Sequence, residues 1–223
     1  METKIFLGAL GFSILILVIA LNLPLSEPET KDGLPWQIEL TEQTSRVFGL
    51  TLGTSTLAEA ESSLKADGEI SLFRKNDNDY TVEAYFDKVE LGGLSAKMIL
   101  VMQVPSQELA QMFQHGVRIS KAPSGSNKVS IATEDRHRVR DSAIQSITYL
   151  PAVNLDAEQI LSRFGKPSQR IPDPHNASEH WLYPQLGLDV TLDAKNREVL
   201  QYVSPANFHT IQTPLMVEPL AAE

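Results

Sequence analysis

The chain contains no cysteine among its 223 residues. Disulfide bonds, a thiolate nucleophile, thiolate ligands for a metal ion and a lipid-modified N-terminal cysteine are therefore excluded. A protein without cysteine is suited to an oxidising compartment, because a free thiol would be a liability there. The composition thus fits a periplasmic location.

Positive charge is also scarce in this sequence. There are 19 lysine and arginine residues against 28 aspartate and glutamate residues, which gives a formal net charge of −9. A general nucleic-acid surface requires the opposite sign, so we expect no nucleic-acid partner. With 42% hydrophobic and 21% charged residues, the chain has the composition of an ordinary folded protein.

Catalytic signatures are missing as well. The sequence has no G-x-S-x-G nucleophile elbow, no H-E-x-x-H zinc motif and no glycine-rich loop for phosphate. His175 and His180, with Asp173 and Glu179 nearby, could be drawn as a metal site, but they fall in a proline-containing stretch that is typical of a solvated loop. We therefore expect no catalytic residue, no cofactor and no metal.

The N-terminal segment "KIFLGALGFSILILVIALNLPL" carries no charge between Lys4 and Glu27. This apolar run has about the 20 residues that a membrane-spanning helix needs, and it predicts a transmembrane signal anchor over residues 1–25. The positive charge precedes the run, which favours a periplasmic location for the rest of the chain. Cleavage as a secretion signal near Val18 to Ala20 is the alternative. Residues 26–35 are predicted to be a linker.

Residues 36–150 are predicted to form a first α+β unit. "GLTLGTSTLAEAESSLKADG" has helix-capping residues, an apolar face and a terminal Gly68. "EISLF", "YTVEAYF" and "LSAKMILVMQV" are short apolar or alternating segments typical of strands, and the last is predicted to be central. "SQELAQMFQHG" is predicted to be a second helix, and "VSIAT" and "AIQSITYL" two further strands.

Residues 151–205 are predicted to form a second α+β unit. Asn154 or Asp156 can cap a helix that ends at Gly165, since Pro167 cannot continue it. "WLY", "LDVTL" and "VLQYV" predict three antiparallel strands covered by that helix. The predicted fold is thus α+β, an N-terminal transmembrane helix followed by two tandem helix-plus-antiparallel-sheet units; one continuous domain is the alternative. The tail, residues 206–223, is predicted to be extended or disordered.

Two groups of residues are candidates for an interaction surface. On a strand, Arg136, Arg138 and Arg140 would share one face and could bind an acidic partner, a lipid headgroup or a glycan. Acidic neighbours make a salt-bridged, solvated strand face the alternative. Trp181 and Tyr183 would also share one face, either packed beneath the helix or exposed as an aromatic platform.

The segment from residue 154 to 205 resembles the small envelope proteins of the BamE (SmpA/OmlA) family, and more loosely the β-lactamase-inhibitor-like units. The resemblance lies in "LDAEQILSRFGKPSQ" and "HWLYPQLGLDVTLDAKNREVLQYV". It implies a non-enzymatic protein-binding module that faces the periplasm. We expect the partner to be an envelope protein or polymer. The family's N-terminal cysteine is absent here. An envelope hydrolase with scattered Asp, Glu and His residues, or a secreted inhibitor-like domain released by signal cleavage, is the alternative function.

Overall fold

A computed structural model of the protein describes residues 33–42, 44–76, 79–122, 125–173, 177–193 and 197–216. The predicted anchor over residues 1–25 lies outside these residues, as does the linker up to residue 32. Within the described ranges, no helix combines the length and the apolar character needed to cross a membrane.

Thirteen strands of the described residues form two antiparallel sheets. The small sheet contains β1 (Ile38–Leu40), β2 (Ser45–Val47) and β3 (Leu50–Thr51). The large sheet has ten strands in the order β10-β11-β12-β13-β9-β6-β5-β4-β8-β7. Their bounds are β4 Glu69–Asn76, β5 Asp79–Leu91, β6 Leu94–Met102, β7 Arg118–Lys121, β8 Asn127–Ser130, β9 Ile144–Pro151, β10 Gln169–Pro172, β11 Ser178–Tyr183, β12 Leu188–Asp193 and β13 Val199–Val203.

The prediction of two tandem α+β units is wrong, because one sheet continues through both halves of the chain. Strand β9 pairs with β6 on one side and with β13 on the other. Ile147 and Tyr149 of β9 are fully buried, so this strand supplies core residues to both halves. A separate sheet in each half would leave additional edges with unpaired backbone groups, and pairing through β9 removes them. The protein is mostly β, with a continuous antiparallel sheet.

The described residues also form five α-helices. They are α1 (Leu57–Leu64), α2 (Ser106–Gln114), α3 (Thr133–Arg140), α4 (Ala157–Phe164) and α5 (His209–Met216), with single 3-10 turns at Pro184–Leu186 and Pro205–Asn207. Helix α3 contradicts the predicted arginine strand. Glu134 and Asp135 lie in its first turn, and Arg138 and Arg140 in its last, so these charges complement the helix dipole.

Helices α1 and α4 begin with the same local structure, one hundred residues apart. Thr56 and Glu59 form a capping box at the start of α1, and Asp156 and Gln159 form one at the start of α4. The predicted helices are confirmed here. Helix α1 ends earlier than expected, at the left-handed Lys65.

The tail was predicted to be extended, but residues 209–216 form helix α5. Ile211 and Leu215 are four positions apart and therefore share one side of the helix. They pack against a small apolar cluster that contains Leu182, Val203 and Phe208. This burial explains why the segment is ordered although its sequence lacks a long periodic pattern. Residues 217–223 lie outside the described ranges.

One face of the large sheet holds the main core. Helices α1 to α4 and the small sheet all contribute to the same buried cluster. Phe48, from the turn after β2, stacks on Tyr149 with the ring centroids 4.9 Å apart and meets the edge of Tyr202. The hydroxyl of Tyr202 donates to the carbonyl of Pro35 at 2.8 Å, which ties the start of the domain to the sheet.

Candidate interaction surface

The two faces of the ten-stranded sheet differ in what packs against them. Helices α1 to α4 cover one face, whereas α5 packs on the other face over Leu182 and Val203. Directly paired residues of neighbouring strands share a face, so the register defines two rows on the side opposite α1 to α4. We call these rows the open face: Tyr85, Ile99, Thr148 and Gln201 in one row, and Glu83, Val101 and Ser146 in the other.

The open face has apolar side chains at its centre. Ile99 and Val101 of β6 are half-buried, and their neighbours Thr148 and Gln201 are half-buried polar residues without a net charge. Met98 and Leu100, which alternate with Ile99 and Val101, are fully buried on the covered face. Strand β6 is therefore apolar on both sides, a pattern that is typical of strands covered on both faces.

Charged groups lie mainly at the border of the open face. The ammonium group of Lys97 lies 2.9 Å from an Asp87 carboxylate oxygen and 3.1 Å from the Tyr85 hydroxyl. The Tyr85 hydroxyl also donates to Asp87 at 2.8 Å. Hydrogen bonding from Lys97 lowers the pKa of Asp87. These groups are exposed, so the ion pair orients the side chains more than it stabilises the fold.

One charged residue, Glu83, lies within the rows themselves. Burial raises the pKa of its carboxyl group, and Lys128 nearby partly offsets that effect. A centre with little charge and a charged border is the usual arrangement of a protein–protein interface. Beside the border, a cavity of about 440 Å³ is lined by Asp87, Lys88, Lys97, Leu150 and Arg197 among others.

A second polar cluster surrounds His180 near α5. Nδ1 of His180 lies 2.8 Å from Oδ2 of the buried Asp189 and 3.2 Å from the hydroxyl of Thr191. Nε2 lies 3.7 Å from a carboxylate oxygen of Asp173. The hydrogen bond with Asp189 is the main cause that raises the pKa of His180, and burial opposes it. With both ring nitrogens facing carboxylates, the imidazolium form is stabilised relative to the neutral ring.

This cluster corrects the metal site considered from the sequence. Asp173 does lie near His180, but the second carboxylate is Asp189 and not Glu179. His175 lies outside the described residues. Within the residues that the structure describes, no group of three histidine or acidic side chains is arranged to hold a metal ion.

The three candidate arginines do not form a row. Arg138 binds Glu108 of α2 at 2.8 Å, and Arg140 binds the buried Glu61 of α1 at 2.7 Å. Arg136 is exposed on α3. Two of the three guanidinium groups therefore form ion pairs between α3 and neighbouring helices. The prediction of an arginine-bearing strand face is wrong.

The two candidate aromatic residues are core residues. Trp181 is 3% exposed and Tyr183 is 4% exposed, so neither ring forms an exposed platform. The Tyr183 hydroxyl donates to the carbonyl of Gly165 at 3.1 Å, and its ring lies 5.9 Å from that of Phe164. The sharp end of α4 at Gly165 thus places the helix directly over this strand. Arg170 covers the ring of Trp181, with its guanidinium carbon 3.9 Å from the ring centroid.

The open face was missed in the sequence, although one signal pointed to it. The run "MILVM" in β6 has apolar residues at both odd and even positions. The run is a central strand, as predicted, and the local pattern does not show what covers its second face.

Comparisons with known protein families, with curated proteins and with solved structures found no match. The resemblance of residues 154–205 to the BamE family therefore stays a prediction.

Proposed function

We propose that this protein is a non-enzymatic interaction module of the bacterial cell envelope, which binds another protein through its open face. The observation that carries the proposal is strand β6, whose side chains are apolar towards both faces while helices α1 to α4 cover one face and α5 packs on the other only over Leu182 and Val203. An apolar patch with a polar border is characteristic of protein-binding surfaces. Ile99 and Val101 form its centre, and Lys97 with Asp87 forms part of its border.

A protein partner is favoured over an envelope polymer by the composition of this surface. Its half-buried centre presents aliphatic, hydroxyl and amide side chains, which match the apolar core of a protein interface. The resemblance to BamE-like modules points to the same class of function.

We also propose that the N-terminal apolar run anchors the domain in the inner membrane, with the described residues in the periplasm. The support is the length of the uncharged segment between Lys4 and Glu27 and the absence of cysteine. Membrane fractionation followed by intact-mass measurement tests this directly. An integral membrane protein with an intact N-terminus is expected, and a soluble protein lacking about 20 residues would show a cleaved signal instead.

Photo-crosslinking in living cells tests the binding surface. A photoreactive amino acid replaces Thr148 or Gln201 on the open face, and the matched control replaces Gln111, an exposed residue of α2. We expect the same crosslinked protein from both open-face positions and not from position 111. Crosslinking of that protein equally well from Gln111, or its absence from both open-face positions, would contradict the proposal.

A further inference from the structure

We infer that the outer edge of strand β7 is a strand-addition site for an extended segment of a partner protein, in which apolar and acidic side chains alternate. This site is separate from the open face and goes beyond the proposed function.

Strand β7 is unusually exposed for an edge strand. All four of its residues are exposed, and Val117, directly before it, is 75% exposed. Ile119 is 58% exposed. These are the two largest exposed fractions among the large apolar side chains that the structure describes. An edge strand offers a row of unpaired backbone N–H and C=O groups, and exposed apolar residues beside that row favour pairing with another strand.

The other edge of the sheet is protected. Strand β10 ends in Pro172, which has no N–H group to offer. Gln212 of α5 donates to the Gln169 side chain at 3.4 Å, and Arg170 lies over the ring of Trp181. Strand β7 has no proline and, within the described ranges, no strand pairs with its outer side.

The register of β7 assigns its side chains to two sides. Ile119 pairs with the buried Val129, which pairs with Leu72 of the core. Ile119 and Val117 therefore lie on the covered side of the sheet. Ser120 pairs with Lys128, so Arg118 and Ser120 lie on the opposite side together with that lysine. An added strand would place apolar residues beside Val117 and Ile119 on one side, and acidic residues beside Arg118 on the other. Lys121 is two positions from Ile119 and lies at the end of β7 on the apolar side.

The charges at this edge favour an acidic segment. Lys128 is bound to Glu69 at 2.9 Å, whereas Arg118 and Lys121 form no ion pair with any residue that the structure describes. The whole chain carries a net charge of −9, so this cationic edge does not reflect the overall composition. Opposite charges on paired strands stabilise the pairing.

A second copy of the chain fits the edge less well. Strand β7 of a second copy carries the same two cations and no acidic residue, so two paired β7 strands would hold four positive charges and no negative one. Like charges held at one short edge repel each other. A partner with an acidic residue opposite Arg118 avoids that repulsion.

The edge is also held in a defined position. Gly116 joins α2 to β7, and a side chain there would collide with Val129. Since Val129 is fully buried, the backbone entering β7 passes close against the core. A fixed edge loses little conformational freedom when a strand pairs with it.

The test measures peptide binding to the full-length chain in a neutral detergent by fluorescence anisotropy. The probe is a labelled peptide of about ten residues in which valine and glutamate alternate, and a valine–lysine peptide of equal length is the control. We expect the glutamate peptide to bind about tenfold more tightly. The double variant Arg118→Glu with Lys121→Glu should reverse this preference.

Two further measurements make the result decisive. The double variant Arg136→Glu with Lys166→Glu makes the same charge change elsewhere and should keep the preference for the glutamate peptide. Hydrogen exchange at Ile119 and Ser120 should slow when the peptide binds. Equal binding of the two peptides, an unchanged preference in the β7 variant, or concentration-dependent dimers lost in that variant would overturn the inference. The crosslinks from the open face are measured independently, so failure of this site and failure of the proposed function can be told apart.

Discussion

The two halves of the large sheet have the same order of helix and strands but differ in how their outer face and their edge are covered. In each half, a short helix with a capping box precedes an antiparallel series of strands, α1 before β4 to β6 and α4 before β10 to β13. In the second half, α5 covers the outer face and Pro172 ends the edge strand. In the first half, Ile99 on the outer face and Ile119 at the edge are left partly or largely exposed.

This difference distinguishes the residues that stabilise the fold from the apolar residues that remain available for binding. Both halves have a helix-covered face that supplies the core, so the exposed apolar residues of the first half are not needed to complete it. In the second half, residues of the chain itself cover the outer face and protect the edge of the same sheet. We therefore propose that binding involves the first half and the central strands, where the chain leaves apolar surface uncovered.

The largest effect is expected where the halves meet. Ile147→Ala in β9 removes a fully buried side chain and should lower the free energy of unfolding by about 2–5 kcal/mol. Because β9 pairs with both β6 and β13, amide protection in the two halves should fall together. Hydrogen exchange followed over β5 and β12 checks this. Loss of protection in one half alone would show that the halves are energetically separate.

A smaller, pH-dependent effect is expected in the second half. Asp189→Asn keeps the shape but removes the charge that raises the pKa of His180. Because the pKa of His180 is raised on folding, the stabilisation is fully present below its ordinary value of 6.5 and is lost as the pH rises through the raised value. The variant should be less stable by about 1.5–3 kcal/mol at mildly acidic pH.

Denaturant unfolding of the wild type and of Asp189→Asn across this pH range measures the effect. The difference between the two proteins should narrow towards alkaline pH, and an NMR titration of His180 should show a lower pKa in the variant. A stability difference between the two proteins that widens with rising pH would contradict this role of Asp189. Asp173 also faces the ring, so Asp173→Asn should act in the same direction with a smaller effect.

The smallest effect compares the two capping boxes. Thr56→Ala and Asp156→Ala each remove the side chain that accepts a hydrogen bond from the backbone of the first helical turn. Each should cost about 1 kcal/mol of unfolding free energy. Nearly equal losses in thermal or denaturant unfolding are expected, since the local geometry is the same. A large loss for one alone would show that its helix end has a further role.

Local structure could be predicted from the sequence where the signals are short-range. The capping residues at Thr56 and Asp156 and the end of α4 at Gly165 depend on neighbours within a few positions. The strands with alternating or continuous apolar residues were also predicted, including the central β6.

Long-range pairing could not be predicted in the same way. That β9 joins both halves depends on contacts between strands about fifty residues apart, which no local pattern encodes. The short strand β10 contains a proline and was missed for that reason. The charged segment of α3 was assigned to a strand because its alternation of arginines has a period of two, whereas its helix depends on charge placement and on contacts with α1 and α2.

The open face was the hardest feature to predict, since it is defined by the part of the sheet that no helix covers. Trp181 and Tyr183 were chosen for their chemistry, and both are buried. Ile99 and Val101 belong to an ordinary strand sequence, and their exposure follows only from which face the helices occupy.

Ile99→Arg tests the central claim most directly. The substitution places a charge at the middle of the open face and leaves the covered face of β6 unchanged. With a photoreactive amino acid at Gln201, we expect the partner crosslink to fall by about tenfold or more, while the unfolding free energy changes by less than about 1 kcal/mol. An undiminished crosslink in a folded Ile99→Arg protein would contradict the claim that the open face binds the partner.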